Sequence, residues 1–201
     1  NGVVLVSGAI GNTAPLSTLT LTNSNGATFN SAVTTGTSVV LSDTVAGQTI
    51  RFADNLSTPV LTTTAHGYHL ELLGSNTSVN GNTTLLNTGN VVLGNAATDT
   101  LSFAGGLTAT AANTINMGGV ISTNNAGISL GSTAITLNAN TSLSAGTGAI
   151  SLNSTVDSAA STTQALTINS TGVTTFNNKV GFVDALASLT TNSGGSLVMN
   201  A

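Results

Sequence analysis

The chain is 201 residues long, with 4% charged residues, no cysteine and a formal net charge of −4. Its two basic residues, Arg51 and Lys179, cannot neutralise a phosphate backbone, so the composition excludes nucleic acid as a partner. Without disulfides the fold must depend on hydrogen bonds and packing. No apolar run approaches the about 18 residues that would cross a bilayer, so we expect no membrane span in this sequence.

Short segments rich in Thr, Val, Leu and Ile follow one another along the whole chain and predict strands. In chain order they cover 19–22, 38–41, 49–52, 68–72, 90–93, 128–130, 135–137, 150–152, 166–168 and 196–199. Each is closed by Gly, Asn, Ser or Asp, which favour turns. Because Glu, Lys, Arg and Gln are scarce, no long amphipathic helix is expected, and 184–188 is interpreted as a turn.

The two ends of the chain carry the same pattern. Gly2 recurs as Gly172, and the match continues without a gap from 2–20 to 172–190, at a constant offset of 170. Such self-similarity is typical of a tandem array. We therefore interpret 1–201 as one continuous solenoid, in which 1–170 form one tandem unit and 171–201 begin the next copy.

Shorter echoes indicate the size of the structural repeat. LTINSTG at 166–172 resembles LTTNSGG at 189–195, a spacing of 23, while the segments at 135–137 and 150–152 are 15 apart. Repeats of this size with short strands predict an all-β, right-handed parallel β-helix of about nine short turns. Stacked turns would bring like side chains within ~4.8 Å of each other, which explains why charge is rare. Tandem β-sandwich domains are the alternative; only Asn25-Gly26 and Asn80-Gly81 give tight hairpin signals.

Several phrases resemble a known family. LTINSTGVTTFNNKVG (166–181), ALASLTTNSGGS (185–196), ATDTLSFAGGLTATAANTI (97–115) and GNTAPLSTLTLTNSNGATF (11–29) are similar to the β-strand repeats of large bacterial filamentous-haemagglutinin-like and autotransporter-type surface adhesins. The resemblance implies a long β-helical stalk at the cell surface or outside the cell. It brings no catalytic residues with it.

The expected function is therefore that of a non-catalytic structural shaft in an extracellular bacterial fibre, an adhesin or a biofilm filament. Expected partners are other copies of the chain, neighbouring tandem units and host or surface glycans. A carbohydrate-binding or carbohydrate-active protein on the same scaffold is the alternative, and it would need acids or bases converging in a groove. No cofactor is expected.

The segment AHGYHLE is the richest candidate for site chemistry. On a strand His69 and Glu71 would share one face, with His66 and Tyr68 on the opposite one. A metal site needs three converging ligands. We therefore predict a solvated or corner-packed polar patch and assign no catalytic, cofactor-binding or metal residue.

The other candidates are scattered. The five aspartates lie at irregular spacings and are predicted to stabilise turns; they are Asp43, Asp54, Asp99, Asp157 and Asp184. Lys179 is predicted to be exposed. Threonine triplets at 18–20, 62–64 and 108–110 suggest a water-ordering surface, but their uneven separations predict that they do not share one regular plane.

Overall fold

The computed structural model describes residues 1–192 and 194–200, and within them every regular element is a strand. The strands are β1 (Val4–Val6), β2 (Leu16–Leu21), β3 (Ala27–Phe29), β4 (Val33–Leu41), β5 (Thr49–Phe52), β6 (Leu56–Thr58), β7 (Val60–Thr63), β8 (His69–Leu72), β9 (Asn76–Val79), β10 (Thr83–Thr84), β11 (Val91–Leu93), β12 (Thr100–Phe103), β13 (Leu107–Ala109), β14 (Thr114–Ser122), β15 (Ile128–Leu130), β16 (Ala134–Gly146), β17 (Ile150–Leu152), β18 (Thr155–Ser158), β19 (Ala165–Ser170), β20 (Val173–Phe176), β21 (Ser188–Thr191) and β22 (Ser196–Met199).

Each turn of the chain adds one strand to each of three faces, and the strand pairs among the described residues are parallel. Face A contains β1, β3, β5, β8, β11, the first halves of β14 and β16, and β18. Face B contains the first part of β4, then β6, β9, β12, the second halves of β14 and β16, β19 and β21. Face C contains β2, the second part of β4, then β7, β10, β13, β15, β17, β20 and β22.

This arrangement confirms the predicted all-β parallel β-helix of about nine turns. The chain spacing between register partners on face A ranges from 20, as for Thr49 and His69, to 24, as for Val91 and Ile115. The antiparallel hairpins of the β-sandwich alternative are not found among the strand pairs of residues 1–192 and 194–200.

One of the two short sequence repeats, at a spacing of 23, corresponds to a full turn of the β-helix, and the other, at a spacing of 15, does not. Leu166 pairs directly with Leu189, so the spacing of 23 separates stacked positions on face B. The spacing of 15 was a wrong guide to turn length, because 135–137 lie on face A whereas 150–152 lie on face C. Both strands bury alternate residues against the same core, so their sequences resemble each other without being stacked.

Inward-facing residues form ladders through the whole molecule. On face A, Phe29 stacks on Phe52 with ring centroids 4.8 Å apart and planes 11° from parallel. The ladder continues upward through aliphatic side chains that are each fully buried, namely Leu72, Leu93, Met117 and Leu137. Alternation of inward and outward side chains along each strand makes this possible. The result is one narrow core of mostly small aliphatic side chains.

At some corners the backbones of successive turns lie so close together that only glycine fits between them. At the corner between faces B and C, a Cβ added to Gly105 would lie 2.4 Å from the amide nitrogen of Asn82. One added to Gly148 would lie 2.1 Å from the carbonyl oxygen of Ala126. Neither glycine has a positive φ, so the reason for glycine here is the close approach of two backbones.

The repeated end segments have the same local structure on different faces. Gly11 and Gly181 both adopt positive φ, 71° and 63°, and the preceding residues, Ile10 and Val180, each form an isolated parallel bridge. However, β1 lies on face A and its counterpart β20 lies on face C. The offset of 170 residues between the two copies of the pattern therefore corresponds to seven complete turns followed by a step from face A past face B to face C. The tandem unit of 1–170 stays a prediction. In a series of such units, each would carry the pattern on a different face from the unit before it.

Candidate interaction surfaces

Most of the ionisable side chains lie close together. Six of the ten Asp, Glu, His, Lys and Arg residues fall between 43 and 71, within two consecutive turns. We call this group the ionisable cluster; it comprises Asp43, Arg51, Asp54, His66, His69 and Glu71. It occupies face A and the two corners that flank it.

The centre of the ionisable cluster is an ion pair. Arg51 and Glu71 are register partners on β5 and β8, and Arg51 Nε lies 2.5 Å from Glu71 Oε2. The next residues in the same column are uncharged, Thr28 below and Val92 above. Stacking therefore joins opposite charges here. Because the Arg51 side chain is 47% exposed, the pair contributes at most about 1 kcal/mol.

The four residues of AHGYHLE do not converge. His69 and Glu71 both point outward from β8, as predicted. Tyr68 is completely buried, whereas His66 is exposed at the corner, where its Nδ1 lies 3.6 Å from Asp43 Oδ1. Strand alternation and the corner thus distribute the four side chains between the core, face A and solvent. Among residues 1–192 and 194–200, no three Asp, Glu or His side chains are grouped so that they could hold a metal ion.

Tyr68 connects the corner to face C. Its hydroxyl oxygen accepts the Thr64 N–H at 3.2 Å and its hydroxyl donates to the Leu41 carbonyl at 3.2 Å. Burial away from water disfavours the charged phenolate and raises the pKa of Tyr68 above its ordinary value of 10.0. No sequence signal indicated that this polar side chain would be buried. On a regular strand Tyr68 would lie on the same side as His66, which is exposed.

His69 belongs to a polar column along one edge of face A. Its Nδ1 accepts the backbone N–H of Asn90 at 2.7 Å, so a neutral His69 carries its proton on Nε2. In the next turn, the Asn113 amide donates to the Asn90 side-chain oxygen at 3.1 Å. This histidine therefore links neighbouring turns.

Three of the five aspartates accept backbone N–H groups through their carboxylates. Asp99 is 4% exposed, and its Oδ2 accepts the N–H groups of Asn95 and Ala96 at 2.8 and 2.9 Å. Asp54 accepts the N–H of the residue that follows it. Both confirm the predicted turn role, and Asp157 bonds across turns to the Val183 N–H.

Lys179 is exposed, as predicted, and packs on an aromatic ring. Its Nζ lies 3.7 Å from the centroid of the Phe182 ring. Phe182 is itself 64% exposed. The contact is a cation–π interaction at the surface, where such pairs contribute about 0.5–1 kcal/mol.

Asparagine side chains form a second outward column at the end of face C. The Asn200 amide donates to Asn177 at 2.8 Å, and the Asn177 amide donates to Asn153 at 2.9 Å. The Asn153 amide in turn bonds to Ser129 Oγ at 3.2 Å. Each amide has both a donor and an acceptor, so identical residues can repeat indefinitely along the axis.

The three threonine triplets meet on face C. They belong to two outward columns of register partners, because β7 and β10 are not paired as strands. The first column is Thr20, Val40 and Thr62, and the second is Thr84, Thr108, Ser129, Ser151, Thr175 and Val198. The step from β7 to β10 is joined by Thr63, whose hydroxyl donates to the Thr84 carbonyl and accepts the Leu86 N–H. The triplets lie on the same face although their separations along the chain are unequal, because the corners absorb differences in turn length. That they do not share one regular plane stays a prediction.

Comparisons with known proteins do not identify a family. No family model matches the chain, and neither the search of curated proteins nor that of solved structures finds a similar one. The described residues contain no helix long and apolar enough to cross a bilayer. The surfaces described above are therefore the basis for any functional assignment.

Proposed function

We propose that this chain is a non-catalytic structural shaft of an extracellular bacterial fibre or adhesin. The observation that carries the proposal is the stacking of about nine turns around one core, with parallel strand pairs that run along faces A and B from end to end of the stack. At ~4.8 Å per turn the stack is about 40 Å long. Bending it in any direction would strain hydrogen bonds on at least one face, which supports a mechanical role.

The surface supports adhesion or self-association in the same role. Outward positions hold mainly Ser, Thr and Asn, whose hydroxyl and amide groups bond to one another between turns, as in the pair of Thr18 and Ser38. Such groups can also bond to hydroxyl-rich glycans or to another copy of the chain. The extracellular location rests on the resemblance of the strand phrases to bacterial surface adhesins.

The ionisable residues support a role without catalysis. Arg51 is paired with Glu71, and the acids with backbone partners stabilise turns. Hydrolysis of a glycoside uses two carboxyl groups that flank one bond. The neighbour of the single glutamate in the ionisable cluster is an arginine.

Electron microscopy of fused copies tests the proposal. One, two and three copies joined head to tail should form straight rods of constant width whose length grows by about 40 Å per copy. Compact particles, or beads connected by flexible segments, would contradict the shaft. Depolymerisation of a polysaccharide by the purified protein would overturn the non-catalytic assignment.

A further inference from the structure

We propose that the shaft has a built-in opening point on face C, where β7 and β10 separate locally while faces A and B stay paired around them. We call the junction between these two strands the seam. The inference rests on the proposed shaft and deepens it, since it says at which height and on which face a stack of about nine turns yields first.

The seam is a break in strand pairing. Among the described strands, β7 pairs only with β4 below it and β10 only with β13 above it. At the same height face A is continuous through β5 and β8, and face B through β6 and β9. Within residues 1–192 and 194–200, no other two successive strands of one face are unpaired. Backbone ladders therefore hold faces A and B together at a height where face C lacks one.

A threonine hydroxyl spans the seam. The Thr63 hydroxyl donates to the Thr84 carbonyl at 3.3 Å and accepts the Leu86 N–H at 2.7 Å. In paired parallel strands the backbone N–H and C=O of the lower residue make such bonds themselves. One side chain therefore takes the place of two backbone groups.

The same place in higher turns shows the usual arrangement. There the residue after each face C strand donates its N–H directly to a backbone carbonyl of the strand below. Asn153 donates to Leu130 at 2.8 Å and Asn177 donates to Leu152 at 2.8 Å. The Leu86 N–H is the counterpart of these groups, and its acceptor is a hydroxyl. The seam thus differs from its neighbours in one identifiable bond.

A second hydroxyl is inserted one turn below, at the same end of face C. The Thr64 N–H donates to the Tyr68 hydroxyl, which donates to the Leu41 carbonyl, each at 3.2 Å. In the turn below that, the Ser42 N–H bonds directly to the Leu21 carbonyl at 2.9 Å. Hydroxyl groups therefore replace direct backbone bonds in two successive turns that meet at the seam.

The two corners limit the seam to face C. On one side the Gly81 N–H donates to the Pro59 carbonyl at 2.7 Å, and on the other the Thr88 N–H donates to the His66 carbonyl at 2.9 Å. Pro59, directly before β7, has no N–H to donate to a neighbouring turn. The backbone bonds at the corners can therefore stay intact while the strands between them separate.

The interior beside the seam is less apolar than the interior higher on face C. Each side of the seam buries an inward threonine, Thr63 and Thr83, whereas β15 and β17 bury Ile and Leu at their inward positions. Outside, Thr62 and Thr84 are exposed, so solvent borders both strands. Segments that open locally have few buried apolar contacts and solvent-accessible backbone bonds. Opening the seam therefore exposes less apolar surface than opening the strands above it.

Native-state hydrogen exchange followed by NMR tests the inference on the unchanged protein. The Leu86 N–H reports on the seam, and the Asn153 N–H reports on face C higher in the stack. The Leu73 N–H, which donates to the Phe52 carbonyl at 2.9 Å, makes the equivalent bond on face A. We expect Leu86 to exchange at least about tenfold faster than the other two after correction for intrinsic rates. Equal rates at Leu86 and Asn153 would overturn the inference, and so would exchange at Leu73 as fast as at Leu86.

Two matched valine variants test the bridging hydroxyl. Thr63→Val removes both of its bonds with little change in side-chain size. Thr83→Val is the control, because that threonine is also buried on face C but its hydroxyl bonds to the Gly81 carbonyl within its own turn, at 3.4 Å. We expect Thr63→Val to speed Leu86 exchange at least about tenfold and to leave Asn153 unchanged, while Thr83→Val leaves the Leu86 rate unchanged. Equal acceleration of both amides by Thr63→Val would mean that Thr63 stabilises the whole fold, and would overturn the inference.

Thiol labelling gives a measurement that keeps Thr63 in place. The chain contains no cysteine, so a single one can be introduced on the inner side of face C. Leu85→Cys lies beside the seam and Leu152→Cys lies higher in the stack; both leucines are fully buried. A thiol reagent should label Leu85→Cys at least about tenfold faster under native conditions, because the seam opens without global unfolding. Equal labelling rates would count against the seam.

The shaft and the seam fail separately. Straight rods of fused copies, together with equal exchange at Leu86 and Asn153, would leave the shaft standing and remove the seam. Beads connected by flexible segments would contradict the proposed function whatever the exchange rates.

Discussion

Faces A and C are alike on the inside and different on the outside. Inside, both consist of stacked apolar side chains, with Phe52 on face A and Phe176 on face C each fully buried. Outside, face A carries the ionisable cluster, whereas face C carries a column of Thr, Ser and Val. The comparison teaches that stacking favours apolar side chains inside every face, with a few buried Thr and Ser residues such as Thr83 and Ser158. The exterior accepts charge only where neighbours in the column are neutral or opposite in sign.

The largest effect should come from the shared interior. Phe52→Ala and Phe176→Ala should each lower the free energy of unfolding by about 3–5 kcal/mol, because each leaves a cavity between turns that cannot close without breaking register. Urea denaturation measures the change. Phe182→Ala is the control, since that ring is mostly exposed and loses only a surface contact with Lys179, and it should lower the free energy of unfolding by about 1 kcal/mol or less. A large difference between the stability losses of Phe52→Ala and Phe176→Ala would show that the interiors of faces A and C are not equivalent.

An intermediate effect should come from Tyr68, which joins the corner beside face A to face C. Its pKa is raised by burial, so the folded state holds the phenolic proton more tightly than the unfolded state does. The resulting stability is present below pH 10 and is lost as the pH rises above the ordinary tyrosine value of 10.0.

Tyr68 is the lone tyrosine, so absorbance of the tyrosinate reports on it alone. We expect ionisation to coincide with loss of structure as the solution is made alkaline. Tyr68→Phe should cost about 1–3 kcal/mol at neutral pH, because the partners of the hydroxyl lose a hydrogen bond, and should remove this part of the alkaline loss. Ionisation near pH 10 in an intact fold would contradict the assignment.

The smallest effect should come from the exterior of face A. Glu71→Arg places two arginines opposite each other in one column and should destabilise the fold by about 1 kcal/mol. Because Arg51 is half exposed, added salt should reduce the loss. Glu71→Gln is the control that removes attraction without adding repulsion, and it should cost less. Equal thermal midpoints for the two variants would mean that like charges are tolerated in a column.

Much of the fold was predictable from residues that repeat. The strand segments, the scarcity of helix formers and the echo at a spacing of 23 led to a parallel β-helix because stacking imposes the same demand on every turn. The echo at a spacing of 15 misled because all three faces impose that demand, so equivalent strands on different faces resemble each other. Three members of the ionisable cluster were visible in AHGYHLE, namely His66, His69 and Glu71. The burial of Tyr68 was not predictable, because a corner interrupts the alternation of inward and outward side chains.

The sequence by itself determined the class of fold and the apolar core. Both follow from the alternation of apolar and polar residues along each strand and from the scarcity of charged residues, which stacking of like side chains along the axis of the β-helix disfavours. Only the tertiary structure decided which outward residues share a column. The length of a turn varies along the chain, as the unequal spacings of stacked partners on face A show, and the corners absorb that variation. Thr20, Val40 and Thr62 therefore align on face C although they are separated by 20 and then by 22 residues along the chain.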